Sequence, residues 1–269
     1  MMVSSFARAH RLLRREAHCF EPPATPANMN IPLSSTVGSI VANDLRAATV
    51  LTRHGIDFCC KGGRTVQEVC KTKSLDPDEL IREIGKALER DTSRPEDFAQ
   101  WPLSRLIDHI EQVHHTYVSD RLVIVRQYLQ KLCRVHGERH PELHDIAAEF
   151  EACCDTLTKH MKKEELVLFP HIKRLEAAQL GNSAPPKAYF GTIVNPVRMM
   201  EHEHDAEGER FRRISELSFG YAVPEDGCTT YAAAMNLLKE FEQDLHIHIH
   251  LENNILFPRA LHMEEAARS

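Results

Sequence analysis

Two segments of the chain repeat one pattern of histidine, glutamate and Phe-Pro. Residues 160–170 read HMKKEELVLFP and residues 248–258 read HIHLENNILFP. Both follow H-x3-E-x4-F-P, which sets an imidazole and a carboxylate one turn apart on a single helix face. Two such faces turned toward each other supply the donors of a bundle-core di-metal carboxylate site. The donors are His160, Glu164, His248 and Glu252.

Two histidines from two other helices complete the predicted site. His115 precedes His160 by 45 residues and His204 precedes His248 by 44, so the pairs lie at matching heights in two related hairpins. The choice of His115 over its neighbour His114 depends on this spacing alone. The sequence therefore predicts four imidazoles and two carboxylates around the metals.

Helix geometry excludes the histidines beside these ligands. Residues two apart point about 200° apart, since ~3.6 residues make one turn. His202 therefore faces away when His204 faces inward, and His246 and His250 face away from the side of His248. Other histidines are interpreted as structural or solvated: His10, His18, His136, His140, His144, His171 and His262.

Imidazole and carboxylate ligands in a helical interior suit iron or manganese, and zinc can also occupy such a site. Four histidines and two glutamates leave two metals short of octahedral coordination. If both carboxylates bridge, each metal keeps an open position for water, an oxo group, O2 or NO. The donor set thus predicts a reactive centre rather than a structural metal.

Four long amphipathic segments must position these ligands. Apolar residues recur at helical spacing over about 103–134, 141–178, 193–218 and 229–262. Four helices of this length most simply form an antiparallel bundle. The predicted fold class is all-α, with the four-helix bundle over residues 103–265.

A smaller helical module is predicted before the bundle, over residues 34–91. Ser35 or Thr36 caps a helix that runs to about His54, and Thr65 caps a second helix. The run DPDE at 76–79 starts a third helix. Residues 92–102 form a polar linker. Residues 1–33 are interpreted as a disordered extension, with a transit peptide as the alternative and Met29 as a candidate natural start.

Composition excludes several function classes. The 269 residues carry a net charge of −6, which disfavours a broad nucleic-acid footprint. We expect no membrane span, because no window approaches 18 consecutive apolar residues. The eight cysteines have no CxxC pair, and the adjacent pairs are poor candidates for disulfides. These features predict free thiols and a cytoplasmic location.

Together with DFCCKGG at 57–63, these motifs resemble those of the iron–sulfur cluster repair di-iron proteins, also called the repair-of-iron-centres family. The resemblance covers about 34–262 and includes EHDAEG at 203–208, a slight variation on E-H-D-x-A-G. It implies a vicinal-cysteine module, a hemerythrin-like bundle and two non-haem irons in an oxo- or carboxylate-bridged centre. The ligands it implies are the six residues found from the repeat. It also implies accessory roles for Cys59, Cys60 and Glu203.

The resemblance implies that the protein restores iron–sulfur clusters damaged by nitric oxide or oxidative stress, by donating iron and without enzymatic turnover. Its partners would be damaged iron–sulfur proteins, with NO or O2 as small ligands, and a homodimer stays open. Where oxygen-carrying hemerythrins have a further histidine, the chain has Gly208, which disfavours reversible O2 carriage. The alternatives are a sensor or store of NO or O2, and a di-iron enzyme that reduces NO or peroxide.

Two interpretations of Cys59 and Cys60 stay open. Beside Lys61 and a flexible Gly62-Gly63, the thiols could have lowered pKa values and handle iron, NO or a disulfide partner. Alternatively, they are two small residues in a turn, one of them buried.

Overall fold

The computed structural model describes residues 31–90 and 96–268, and the regular elements in these ranges are helices. Most of the predicted 1–33 extension, and part of the predicted linker, lie outside the described residues. Four helices precede the bundle: α1 (Val37–Asn43), α2 (Ala47–Arg53), α3 (Val66–Lys73) and α4 (Pro77–Arg90). The bundle contains α5 (Leu103–His109), α6 (Thr116–His136), α7 (Glu142–Lys163), α8 (Phe169–Leu180), α9 (Val194–Leu217), α10 (Thr229–Leu251) and α11 (Phe257–Arg268).

The long helices α6, α7, α9 and α10 form a closed ring of four, each packed on two neighbours. Phenylalanines from three of them meet at its centre, with ring centroids 5.4–6.5 Å apart: Phe150, Phe211 and Phe241. The predicted all-α four-helix bundle is confirmed. Among the described residues, none of the helices combines the length and apolar character needed to cross a membrane.

Three of the four bundle segments are interrupted by a π-helical turn, a feature that the predicted continuous helices lack. The turns span Ile110–His115, Glu164–Leu168 and Glu252–Leu256. In the second turn the Phe169 N–H donates to the carbonyl of Glu164, five residues back. A proline follows at once, and its ring crowds the preceding turn and removes a donor, which favours a widened turn. The first turn has no proline to explain it.

The N-terminal module differs from prediction at one point. The expected single helix to His54 is wrong, because the chain leaves the helix between α1 and α2. Asp44 there is extended, with φ −159°, and its carboxylate accepts the Arg46 N–H at 3.0 Å and the guanidinium at 2.6 Å. A side chain that satisfies the backbone locally competes with continuation of the helix. The predicted caps Thr36 and Thr65 are confirmed.

The module packs directly on the bundle. Helix α1 contacts α10 and the π turn that follows it, and the apolar residues of α1–α4 join the core around Phe150 and Phe241. Residues from Ile31 onward form one compact unit. In the predicted linker, Phe98 is buried against Trp101 and His109.

Candidate metal centre

The residues predicted as metal ligands lie together inside the bundle. The first segment contributes the histidine that ends its π turn, and α9 contributes one from its middle. The second and fourth segments each contribute a histidine from the last turn of the long helix and the glutamate that begins the π turn. All are at most 2% exposed: His115, His160, Glu164, His204, His248 and Glu252.

The six side chains form two groups of four that share both glutamates. His115 and His248 belong to the first group, and His160 and His204 to the second. Within each group the donor atoms all lie within 4.8 Å of one another. Glu164 spans both groups, since its Oε2 lies 3.4 Å from His115 Nε2 and 3.3 Å from His160 Nε2.

Glu252 spans the groups with its two different oxygens. Its Oε1 lies 3.1 Å from His248 Nε2, whereas its Oε2 lies 3.1 Å from His204 Nε2. A carboxylate whose two oxygens face two sets of imidazoles has the arrangement of a bridging ligand.

Unsatisfied polar atoms at the centre of the cluster fit a bound metal. Both oxygens of Glu164, Oε2 of Glu252 and Nε2 of His115 are buried and have no hydrogen-bond partner among the described residues. Leaving such groups unpaired in the interior costs free energy. Two cations would satisfy them and neutralise both carboxylates. Each cation would have two imidazoles and two shared carboxylates, leaving coordination positions open.

The shared carboxylates hold protons on two of the imidazoles, those of His115 and His160, whereas burial lowers the pKa of His248. Burial acts to lower the pKa of His115, but the adjacent carboxylates of Glu164 and Glu252 outweigh it and raise the pKa to about 10. For His160, burial is again outweighed, first by the charge of Glu164, and the pKa rises to about 10. An imidazole must lose its proton to bind a metal, so metal binding here releases protons and strengthens as pH rises.

The residue after each shared glutamate orients a histidine of the preceding helix. Glu165 Oε1 lies 2.8 Å from His115 Nδ1, and Asn253 Oδ1 lies 2.8 Å from His204 Nδ1. Donation from Nδ1 directs the Nε2 lone pair into the cluster and fixes the ring. Neither residue was predicted from the sequence, although they occupy the same position of the repeat.

Glu203 and a small pocket lie on the outer side of the second group. The Glu203 Oε2 is 2.8 Å from His160 Nδ1, and its Oε1 pairs with Lys163. The hydrogen bond from His160 outweighs burial and, with Lys163, lowers the pKa of Glu203 to about 2. A pocket of about 150 Å³ between α7 and α9 is lined by these residues, His204 and Thr156. The pocket gives the second group a route toward solvent.

The neighbouring histidines that were not predicted as ligands lie outside both groups. His114 is buried, but its Nδ1 lies 3.0 Å from Asp244 and its ring stacks on His248 at 5.6 Å. His202 is exposed on α9. Two others on α10 pack edge-on against the ring of Phe58: His246 and His250.

The vicinal thiols lie against the helix that carries His204. Cys60 Sγ is 3.5 Å from the His204 carbonyl, and a Cβ on Gly208 would come within 3.3 Å of that sulfur. Cys60 therefore lies beside Gly208, the position at which oxygen-carrying hemerythrins have a further histidine. Cys59 is buried, and the suggestion of a lowered pKa is wrong for this thiol. Its hydrogen bond with Cys60, its burial and the carboxylate of Asp57 all raise the pKa.

One asparagine joins the cysteine loop to the bundle. The Asn254 amide donates to the carbonyl of Cys59 at 2.9 Å. Two glycines make room for it, since a Cβ on Gly38 or on Gly62 would come 2.3 Å from Asn254 Oδ1. Gly62 is buried here rather than free in a flexible loop. Asn253 and Asn254 thus connect His204 and the cysteine loop to neighbouring points of one π turn.

Comparisons with known proteins match both parts of the chain. Residues 105–260 match the family model described as the hemerythrin HHE cation binding domain, and residues 33–88 match a domain of unknown function, DUF542. The iron-sulfur cluster repair protein YtfE of Yersinia pestis (strain Pestoides F) is 35% identical over 231 residues, which is 86% of this chain and 98% of that protein. The protein of the same name from Yersinia pseudotuberculosis serotype IB (strain PB1/+) has the same identity and coverage.

Proposed function

The chain belongs to the family of iron–sulfur cluster repair proteins with a hemerythrin HHE domain, and we propose that it restores clusters damaged by nitric oxide or oxidative stress by donating iron. The observation that carries the proposal is the pair of four-residue groups sharing two glutamates. In this proposal the chain holds two non-haem irons on these residues. When bound, the irons would be held by these six residues and would supply a centre that can accept NO or O2.

The residues around the second group support release of iron. His160 and His204 line the pocket between α7 and α9, so this half of the cluster has an opening toward solvent. The Glu203 carboxylate lies at the same opening and, with its pKa lowered to about 2, stays ionised at neutral pH. If Lys163 moves aside, the carboxylate oxygen that it contacts can accept a departing cation. The non-enzymatic role follows from this proposal, because donated iron is consumed rather than regenerated.

The cysteine module supports contact with a damaged partner. Cys60 is partly exposed while Cys59 is buried, and the two sulfurs lie 3.8 Å apart without a disulfide. With Asp57, they form a group whose donor atoms lie within 4.8 Å of one another. Two sulfurs that lose their protons on binding, together with a carboxylate, suit a ferrous ion in transit. In this proposal, residues 34–91 form an accessory cysteine module and residues 103–265 form the module that holds the metals. The protein acts in the reducing cytoplasm.

Repair of a nitric oxide-inactivated [4Fe–4S] dehydratase tests the proposal. The iron-loaded protein is compared with an equal amount of free ferrous iron and with two variants on α9. His204→Ala removes a ligand, whereas His202→Ala removes an exposed imidazole from the same helix and serves as the matched control. We expect recovery of activity with the unaltered protein and with His202→Ala, and little with His204→Ala.

Recovery no better than with free ferrous iron would overturn the proposal. Reversible binding of NO or O2 without any repair would favour a sensor or store. Sustained turnover of NO or peroxide with an electron donor would favour an enzyme. Mössbauer spectroscopy should show two coupled irons per chain, and His160→Ala or Glu252→Ala should abolish that signature.

A further inference from the structure

An exposed cysteine pairs with a buried histidine at the opposite end of the bundle. Cys228 immediately precedes α10, and its Sγ lies 3.2 Å from Nε2 of His136, the last residue of α6. His136 is only 4% exposed, and its Nδ1 has no hydrogen-bond partner among the described residues. The imidazole is therefore held in place with one nitrogen directed at the thiol.

The start of α10 adds a second influence on this sulfur. A helix N-terminus presents unpaired N–H groups and favours negative charge. The pKa of Cys228 is lowered to about 7. The hydrogen bond with His136 has the largest effect, and hydrogen bonds from the backbone N–H groups of Tyr231 and Thr230 add to it. A nucleophilic cysteine beside a histidine at a helix N-terminus is the usual setting of a reactive thiol.

The charged groups around the pair are already engaged with one another. The His140 ring lies 6.3 Å from the His136 ring, and its nitrogens pair with Asp226 at 2.9 Å and Glu142 at 3.2 Å. Arg139 also pairs with Asp226. From α6, the Lys131 ammonium reaches the Thr230 hydroxyl at 3.4 Å, and the Tyr231 ring packs 5.5 Å from His136. These contacts leave His136 as the group in hydrogen-bond contact with the thiol.

This thiol is remote from the metal cluster. Twenty residues of α10 separate Cys228 from His248, which is about 30 Å at 1.5 Å per residue. The two sites therefore do not share ligands, and the chemistry of the Cys228 thiol does not depend on the repair function.

We propose that Cys228 is a site of reversible S-thiolation by low-molecular-weight disulfides of the glutathione type. The Cys228 thiolate attacks one sulfur of the disulfide and forms a new S–S bond. The old S–S bond breaks and its electron pair leaves on the second sulfur as a thiolate, which takes up a proton from solvent. The small disulfide is the oxidant, and one equivalent of small thiol is released.

Incubation with oxidised glutathione, followed by peptide mass mapping, tests this assignment. At pH 7 a pKa of about 7 gives about fifty times more thiolate than the ordinary value of 9.0, while intrinsic nucleophilicity falls about eightfold. We therefore expect the Cys228 adduct to form about sixfold faster than at an ordinary exposed thiol, and dithiothreitol to remove it. Cys228→Ser abolishes the adduct. The internal control is Cys133, which is half-buried with its pKa raised by burial.

The role of the imidazole is tested separately. His136→Gln should slow the reaction by up to about sixfold at pH 7 and move the midpoint of its pH profile upward from about 7. If that variant does not fold, the pH profile of the unaltered protein decides. A midpoint near 9, an adduct that forms no faster at Cys228 than at Cys133, or an adduct that dithiothreitol does not remove would each overturn the proposal.

Discussion

The contact between Asn254 and Gly38 predicts that the effect of a substitution at Gly38 depends on residue 254. Gly38 lies in α1 with an ordinary backbone conformation, so Gly38→Ala should by itself stabilise the helix by about 0.5–1 kcal/mol. However, the new Cβ would come 2.3 Å from Asn254 Oδ1, and the amide is held by its hydrogen bond to Cys59. Overpacking of this kind costs about 1–3 kcal/mol, so the net effect should be destabilising.

Removing the amide should relieve much of that effect. Asn254→Ala costs about 1 kcal/mol for the lost hydrogen bond, but it also removes the atom that the Cβ would meet. In this background Gly38→Ala should be clearly less destabilising, although the Cβ still comes 3.0 Å from the carbonyl oxygen of Gly62. The two backgrounds should therefore differ by about 1–3 kcal/mol in the effect of the same substitution.

Urea unfolding of the four proteins at fixed metal content measures this coupling free energy. Gly85→Ala is the matched control, since Gly85 lies in α4 and its Cβ would meet nothing within 4 Å. It should have the same small stabilising effect in both backgrounds. If Gly38→Ala behaves like Gly85→Ala in both, the cysteine loop does not pack on the bundle as described and the reasoning is wrong.

Two further predictions concern metal affinity and acid stability. Glu165→Gln should weaken metal binding by about 10–100-fold in a chelator competition, because the amide no longer supports His115 with a negative charge; unchanged affinity would refute the role given to Glu165. The pKa of Glu149 is lowered, because hydrogen bonds from Arg213, together with Arg210, outweigh the opposing effect of burial. The stabilising effect of Glu149 is therefore present above pH 4.5 and is lost as the pH falls below it. Over this acid range, the free energy of unfolding of Glu149→Gln should fall less steeply with decreasing pH than that of the unaltered protein. Equal slopes would contradict the prediction.

Apolar periodicity allowed the bundle to be predicted from sequence, and the duplicated pattern indicated which side chains would come together in it. The spacing of His160 and Glu164, and its repetition 88 residues later, requires only helical geometry. The π turns could not be predicted in the same way. They arise from hydrogen-bond choices within a helix, and periodicity over a long segment does not resolve a single wider turn.

Contacts between distant segments were also beyond the sequence. The fit of Gly38 and Gly62 around Asn254 depends on three positions that only the tertiary fold brings together. Glu165 and Asn253 are a different case, since the repeat already aligns them. They were not predicted because they do not contact the metal. Each accepts a hydrogen bond from a ligand histidine, and no residue spacing in the sequence identifies such a partner.

The two halves of the cluster are electrically unequal, and this has a consequence for occupancy. Outside the first group, His115 contacts the carboxylate of Glu165. Outside the second, Asn253 is neutral and the charge of Glu203 is balanced by Lys163. The first position therefore has a carboxylate in direct contact with its histidine, while the second faces the pocket. We therefore expect a chelator to remove the two ions one after the other. The ion at the second position should leave first, and the ion at the first position should be retained longer.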